Sequence, residues 1–304
     1  MKMKAYFEKQ VQLLLEVLET IVRGDLFALK GGTAINFFHT DLPRLSVDID
    51  LAYTQINSRE EFLKENQAFC HTVGLDLRRK HEALVQIQTT KEGIPKQMNI
   101  SSKNAEIKVD INIVLRGTVY PIVLKESCET IKRKYETILR LNTLSFEDIY
   151  ASKFCAALDR QHPRDLFDIM VFFQNHVITE KLKKAFLVYL ISGSRPISEF
   201  ISPNRLDQRS FFENEFLGMT DYKLSYRNLE EAREVLIQKI DDAFNQQDRE
   251  FLISVKKGEA NWEYLGINHI KDMPAVRWKE YNLMKMSFQK HEVALNELKR
   301  KLKV

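Results

Sequence analysis

Two carboxylates one residue apart, Asp48 and Asp50, lie in the alternating stretch Val47-Asp48-Ile49-Asp50-Leu51, downstream of Lys30-Gly31-Gly32-Thr33. On a strand, residues i and i+2 share a face, so the two Asp side chains are neighbours while Val47, Ile49 and Leu51 point to the core. Ionised carboxylates side by side repel unless a cation lies between them. Hard divalent cations such as Mg²⁺ take oxygen ligands and keep positions open for substrate phosphates. Two of them can clamp the attacking and leaving oxygens of an in-line phosphoryl displacement. The glycines supply the complementary half. A strand, two glycines, a hydroxyl residue and a helix present backbone N–H groups to a phosphate at the helix N-terminus. Glycine lets the backbone approach without a Cβ in the way, and the Thr33 hydroxyl can donate to the same oxygens. The spacing is not that of a P-loop. Two cations and a base need a further carboxylate. In Glu106-Ile107-Lys108-Val109-Asp110-Ile111-Asn112-Ile113-Val114, alternation puts Val109, Ile111 and Ile113 on the core face. Asp110, on the other face, is the candidate third ligand or general base.

Each feature also has an ordinary explanation. An alternating strand with a solvated face accounts for Asp-Ile-Asp, and Gly-Gly turns before helices are common. The order and separation of the two are what point to chemistry.

The elements that must position these residues follow from periodicity. Tyr6 to Val22 reads as an amphipathic helix, with Val11, Leu14, Leu15, Leu18 and Ile21 at helical spacing. Leu26 to Leu29 is a strand, Ala34 to His39 a helical turn or two, and Val47 to Leu51 a second strand. Ser58 caps a helix to Val73, with Glu61 completing a capping box. Short strands are expected at Leu75–Arg79, Ala83–Thr89, Gln97–Ser101, Ile107–Val114 and Val119–Leu124. From Ser145 helices dominate: Phe146–Leu158, Pro163–Phe173, Thr179–Leu190, Asn228–Phe244 and Trp278–Lys301. Strand-rich sequence followed by helix-rich sequence predicts an α+β chain in two parts, 1–142 and 143–304.

Composition is that of a globular protein, with 44% hydrophobic and 29% charged residues among 304. The net charge of +4 permits an anionic partner such as RNA without demanding one. Basic clusters stand at Arg78-Arg79-Lys80-His81, Lys132-Arg133-Lys134 and Lys299-Arg300-Lys301. Cys70, Cys128 and Cys155 form no CxxC pair, which fits a reducing cytoplasm. No signal peptide or membrane span is expected. Trp262, Tyr264 and Trp278 are expected to anchor the core of the C-terminal part, and His162 is the histidine to watch.

At Lys30-Gly31-Gly32-Thr33-Ala34 and Arg44-Leu45-Ser46-Val47-Asp48-Ile49-Asp50-Leu51 the chain resembles the DNA polymerase beta-like nucleotidyltransferase superfamily. More closely it resembles the AbiEii-type toxins of type IV toxin–antitoxin and abortive-infection systems. Ala151-Ser152-Lys153-Phe154-Cys155-Ala156-Ala157, Arg160 and Pro163-Arg164-Asp165-Leu166-Phe167-Asp168 resemble that family's downstream elements. The resemblance spans roughly Leu26 to Met170. It implies a polymerase beta-like core, a mixed sheet with flanking helices, followed by a helical C-terminal lobe. It implies Mg²⁺-dependent transfer from a nucleoside triphosphate to RNA, including the acceptor end of tRNA, which stops translation, under the restraint of an antitoxin encoded nearby. Gly31, Gly32, Thr33 and Ser46 would hold triphosphate oxygens, and Asp48 and Asp50 would bind the metal. Lys153 would neutralise phosphate charge, with Asp165 or Asp168 orienting it or completing the site. Bottom-up, Lys153 and Arg160 share a helix face, and Arg164 and Asp168 could simply pair at the surface. The same chemistry on a small molecule or protein, or a nucleotide-binding module without turnover, remain alternatives.

Overall fold

The computed structural model describes residues 2–304. The chain forms two compact units: the chain through Ser145 together with Phe216–Lys223, and Phe146–Glu215 together with Leu224–Val304. The first is mixed α/β and the second is helical.

The first unit opens with α1 (Lys2–Ile21), whose Val11, Leu14, Leu15, Leu18 and Ile21 are all buried, as their helical spacing requires. It continues with β1 (Phe27–Lys30), α2 (Gly31–Ala34) running into a π-helical turn (Ile35–His39), and β2 (Asp48–Tyr53). Next come α3 (Arg59–His81), β3 (Leu84–Thr89), β4 (Pro95–Ser101), β5 (Glu106–Arg116), β6 (Val123–Glu126), α4 (Glu129–Tyr135) and β7 (Arg140–Thr143). The seven strands make one mixed sheet in the order β3-β4-β5-β2-β1-β7-β6. β2 runs antiparallel to β1 and parallel to β5, which sets the two acidic strands side by side.

Leu75–Arg79, expected as a strand, is instead the continuation of α3. The alternation of Leu75 and Leu77 is incidental. The buried set Phe62, Asn66, Cys70, Val73 and Leu77 keeps helical period through the segment, and Leu75 is exposed. Ser58 caps this helix as its sequence indicates: Glu61 N donates to Ser58 Oγ at 3.1 Å and Ser58 N to Glu61 Oε2 at 3.0 Å. Arg78, Arg79, Lys80 and His81 fall in its last turn, where the helix dipole favours cations. Ile113, expected in the core, is only half-buried. The pairing of β2 with β5 jumps from Ala52–Asn112 to Tyr53–Arg116, so the alternation of β5 breaks after Asn112. The Asn112 side chain accepts from the backbone N–H of Val114 and of Leu115 there.

Phe216–Lys223, which carries no sequence signal, closes the first unit. Met219 accepts from Leu45 N at 2.6 Å, Thr220 Oγ1 donates to Pro43 O at 2.7 Å, and Asp221 pairs with Lys4 at 2.5 Å. These bonds fix the loop that leads into β2.

The second unit contains α5 (Phe146–Asp159), α6 (Pro163–Asn175), α7 (Glu180–Ser192), α8 (Ile197–Ile201), α9 (Arg209–Phe211), α10 (Tyr226–Ala243), α11 (Gln246–Lys257), α12 (Pro274–Met284) and α13 (Phe288–Leu302). The helix expected over Trp278–Lys301 is two, because Ser287 adopts an extended conformation and starts a new helix. Trp278, expected in the core, is 61% exposed. α5 packs on α7 and α6 on α10. A buried ion pair ties α7 to α11: Lys183 Nζ lies 2.9 Å from Asp248 Oδ2, and Tyr264 Oη donates to Asp248 Oδ1 at 2.7 Å. Among the described residues no helix is long and apolar enough to cross a membrane.

Asp248→Ala leaves the buried Lys183 ammonium only the exposed Glu180 carboxylate, 2.8 Å away, and removes the side chain that accepts from Asn245 N at 2.8 Å. We expect a loss of about 3–5 kcal/mol in denaturant-monitored stability. An unchanged unfolding midpoint would show that the pair contributes nothing to the helical unit.

Candidate active site

The sheet register builds the acidic face. Lys30 on β1 pairs with Asp50 on β2, and Asp50 pairs in turn with Asp110 on β5. Asp48 stands opposite Lys108. Ile49 and Leu51 are buried, while Asp48 and Asp50 keep partial exposure. Three carboxylates therefore occupy one face at neighbouring register positions, as alternation predicts.

Their mutual field is visible in Asp110. Its carboxyl is pushed up to about 6, first by burial and then by the charges of Asp50 and Asp48, against the opposing pull of Lys108 and Lys96. The donors suit a hard cation in kind, all being carboxylate oxygen, and a cation is what would relieve the field that raises Asp110. Among the described residues, no three His, Cys, Asp or Glu side chains converge closely enough to hold an ion as they stand. Binding would draw the rotamers of Asp48, Asp50 and Asp110 inward.

The glycine turn is fitted to these acids. Gly31 has φ +72°, and an ideal Cβ there would stand 2.0 Å from Asp50 Oδ2. Only glycine leaves room for that carboxylate. A Cβ at Gly32 would meet Arg44 Nη2 at 2.7 Å and Ser46 Oγ at 3.0 Å. Arg44 and Ser46 are both buried directly behind the turn. Thr33 is fully buried too. Its hydroxyl donates to the Asp48 carbonyl at 2.5 Å and lies 2.9 Å from Ser46 Oγ. In this structure Thr33 and Ser46 are spent on tying the glycine turn to the start of β2. Asn36 does similar work, donating to Gly32 O at 2.9 Å and accepting from Arg44 N at 3.3 Å. Asn36 and Arg44 are supports that sequence reading did not single out. Asn36 is marked only by its polarity among Ile35, Phe37 and Phe38, and Arg44 only by its place at the head of the motif that ends in Asp48-Ile49-Asp50-Leu51.

In the helical unit, Lys153, Asp165 and Asp168 are brought together and buried. Lys153 Nζ lies 2.7 Å from Asp165 Oδ1 and 3.0 Å from Asp168 Oδ2. Arg160, largely exposed, covers Asp165 through Nε at 2.5 Å and Nη2 at 3.1 Å. Burial alone would raise the Asp165 carboxyl, but Lys153 and Arg160 together hold it well below the usual carboxylate range. The surface pairing of Arg164 with Asp168 that helical spacing allows does not form, because Asp168 turns inward to Lys153 and the Arg164 guanidinium stands 3.9 Å from Glu215. His162 caps α6, its Nδ1 accepting from Arg164 N at 3.2 Å, with Pro163 in the first turn.

A mixed sheet that sets paired carboxylates beside a strand–glycine–helix turn is the layout of a nucleotidyltransferase. The sequence matches the family described as Nucleotidyl transferase AbiEii toxin, Type IV TA system, over residues 12–278. The chain belongs to that family and is a nucleotidyltransferase of the toxin class. Membership implies an NTP substrate and an antitoxin partner. Among solved structures, MenT4, a nucleotidyltransferase toxin from Mycobacterium tuberculosis H37Rv, has a similar fold. The TM-score is 0.59 at 16% identity, covering 97% of this chain and 92% of that one. No curated protein matches the sequence.

Two outcomes follow from this geometry. Gly31→Ala is expected to displace the Asp50 carboxylate and strain the turn, so transfer should fall at least about tenfold, with far-UV circular dichroism unchanged; full activity would show that the close approach is dispensable. The raised carboxyl of Asp110 makes the metal-free protein less stable as pH rises from about 4 to about 6, after which the loss is complete and constant, since the fold disfavours the ionised form. Asp110→Asn should therefore raise the melting temperature above pH 6 and leave it unchanged near pH 3. A stability gain that is the same at both pH values would remove the electrostatic explanation.

Proposed function

We propose that this protein transfers a nucleoside monophosphate from an NTP to an RNA acceptor, with the acceptor end of tRNA as target. The work would be done in the cytoplasm and would block translation. The observation that carries this reading is the register-matched Asp48, Asp50 and Asp110 face abutting the Gly31 turn. Asp48 and Asp50 are proposed as Mg²⁺ ligands, with Asp110 as the third ligand or the general base. Bound Mg²⁺, one ion or two, would supply charge neutralisation at the triphosphate and lower the cost of forming an alkoxide. The chain's own groups do the rest. Backbone N–H groups at Gly31 and Gly32 would orient triphosphate oxygens. Thr33 and Ser46 would act through the turn they brace. Asp110, paired in register with Asp50, would stand where a carboxylate could take up the acceptor hydroxyl's proton. Pyrophosphate would leave as the new phosphodiester forms.

For the helical unit, Lys153 is proposed to serve phosphate charge, with Asp165 and Asp168 as the residues that orient it. Both carboxylates contact its ammonium, which supports the orienting role.

Purified protein incubated with each labelled NTP, Mg²⁺ and total RNA should move label into an RNA band. Asp48→Ala and Asp50→Ala should each reduce transfer by at least about a hundredfold while leaving thermal unfolding near that of the parent. Label appearing on protein or on a small molecule instead would replace the RNA acceptor. Full transfer by either Asp variant would refute the metal assignment.

A further inference from the structure

The helical unit carries a surface that the chemistry above does not use. On α12, Trp278 is 61%, Tyr281 44% and Met284 77% exposed, and at the start of α13 Phe288 is 80% exposed. The opposite side of α12 is ordinary core, with Ala275, Val276 and Leu283 buried. Trp278, Tyr281 and Met284 follow one another at i, i+3 and i+6, so they share an outward stripe. The Trp278 and Tyr281 rings lie 5.8 Å apart and only 30° from parallel, and Lys285 Nζ sits 4.1 Å from the Tyr281 ring centroid. Such a concentration of large exposed apolar side chains marks an interaction surface.

Charge decides the partner. Lys271 to Lys290 contains Lys271, Arg277, Lys279, Lys285 and Lys290 against only Asp272 and Glu280. Arg277 pairs with Asp272 at 2.6 Å and Lys279 donates to the carbonyls of Gly193 and Arg195, which leaves Lys271, Lys285 and Lys290 as the cations an anionic partner would meet. Lys285, over the Tyr281 ring, and Lys290, two residues after Phe288 on α13, are both exposed. An apolar protein partner would strand these ammonium groups at a dehydrated interface. A polyanion neutralises them, and unpaired bases supply flat faces for the rings.

We infer that the Trp278–Tyr281–Phe288 surface of α12 and α13, with Lys285 and Lys290, docks a single-stranded segment of nucleic acid. Bases stack on the rings and phosphates meet the lysines. The biological sense of this surface rests on the RNA-acceptor reading, in which it adds affinity for the substrate. Stacking on aromatic rings discriminates little between bases, so the surface contributes affinity rather than sequence choice.

The test uses a fluorescein-labelled single-stranded oligouridylate of 12 nucleotides, without NTP or Mg²⁺, so that binding is read independently of chemistry. Anisotropy titrations of the full chain should show saturable binding that weakens as salt rises. The double variant Trp278→Ala/Phe288→Ala should weaken it at least about tenfold. Lys285→Ala/Lys290→Ala should flatten the dependence of log Kd on log salt by about 1.4, for two lost phosphate contacts at about 0.7 each. Trp278→Phe, which keeps a ring, should restore most of the affinity. All four positions are exposed, so folding is not at stake. Parent-like binding by the aromatic variant, or no binding by the parent, overturns the proposal. So does a parent that prefers purified antitoxin over the oligonucleotide at this surface. If the parent binds the oligonucleotide through these residues yet labels no RNA, the acceptor reading fails and the docking surface stands.

Discussion

The Asp50 carboxylate lies where a side chain on residue 31 would be. Much of the first unit can be understood as what is required to hold that placement. The antiparallel pairing of Lys30 with Asp50 brings the glycine turn over the acid, and the parallel pairing of Asp50 with Asp110 adds the like charge. The buried Thr33 hydroxyl, bonded to the Asp48 carbonyl, and Asn36, bonded to Gly32, keep the turn from drifting away from a face that electrostatics would rather spread apart. Sheet hydrogen bonds oppose the repulsion, and the energy stored there is the kind that binding a cation would release.

The helical unit solves the opposite problem. Two carboxylates and an ammonium are buried together there, and the cluster is near neutrality once the exposed Arg160 is included. Taking such a group out of water is costly. Its pairings compensate, and Asp165, gripped from two sides, stays ionised despite complete burial. One acidic group thus lies with like charges adjoining on a partly exposed face, while the other is enclosed with its counter-charges inside a helical core.

Sequence alone revealed the acidic strand pair, the glycine turn and most helices, because those features are periodic and local. Val11, Leu14 and Leu18 in α1, and Ile49 and Leu51 in β2, are buried as their spacing demands. Where reading failed, a non-local contact decided. Leu75–Arg79 looks like a strand until Val73 and Leu77 are seen to share one helix face against the sheet. Ile113 loses its place because the β2–β5 pairing shifts, which no alternation pattern encodes. Trp278 was assigned to the core on size alone, although nothing in its neighbourhood required it to be there. At the candidate site, the identities of the carboxylates were legible. The burial of Thr33, Ser46 and Arg44 behind the turn was not, since a hydroxyl that braces a loop and one that meets a ligand are spelled the same way.

Phe216–Lys223 belongs to the first unit although it is flanked on both sides by residues of the second. The backbone therefore passes between the two units three times, after Ser145, Glu215 and Lys223. A single cut cannot divide the protein into its two folded parts, and neither part corresponds to one uninterrupted stretch of gene. The loop that delivers Asp48 takes bonds from a segment made some 170 residues later. During synthesis the acidic strand must wait for the first stretch of the helical unit, Phe146–Glu215, to emerge before its lead-in is fastened. Inheritance follows the same logic, since recombination that exchanged the helical unit as a block would carry away the fastening of the loop that leads into β2.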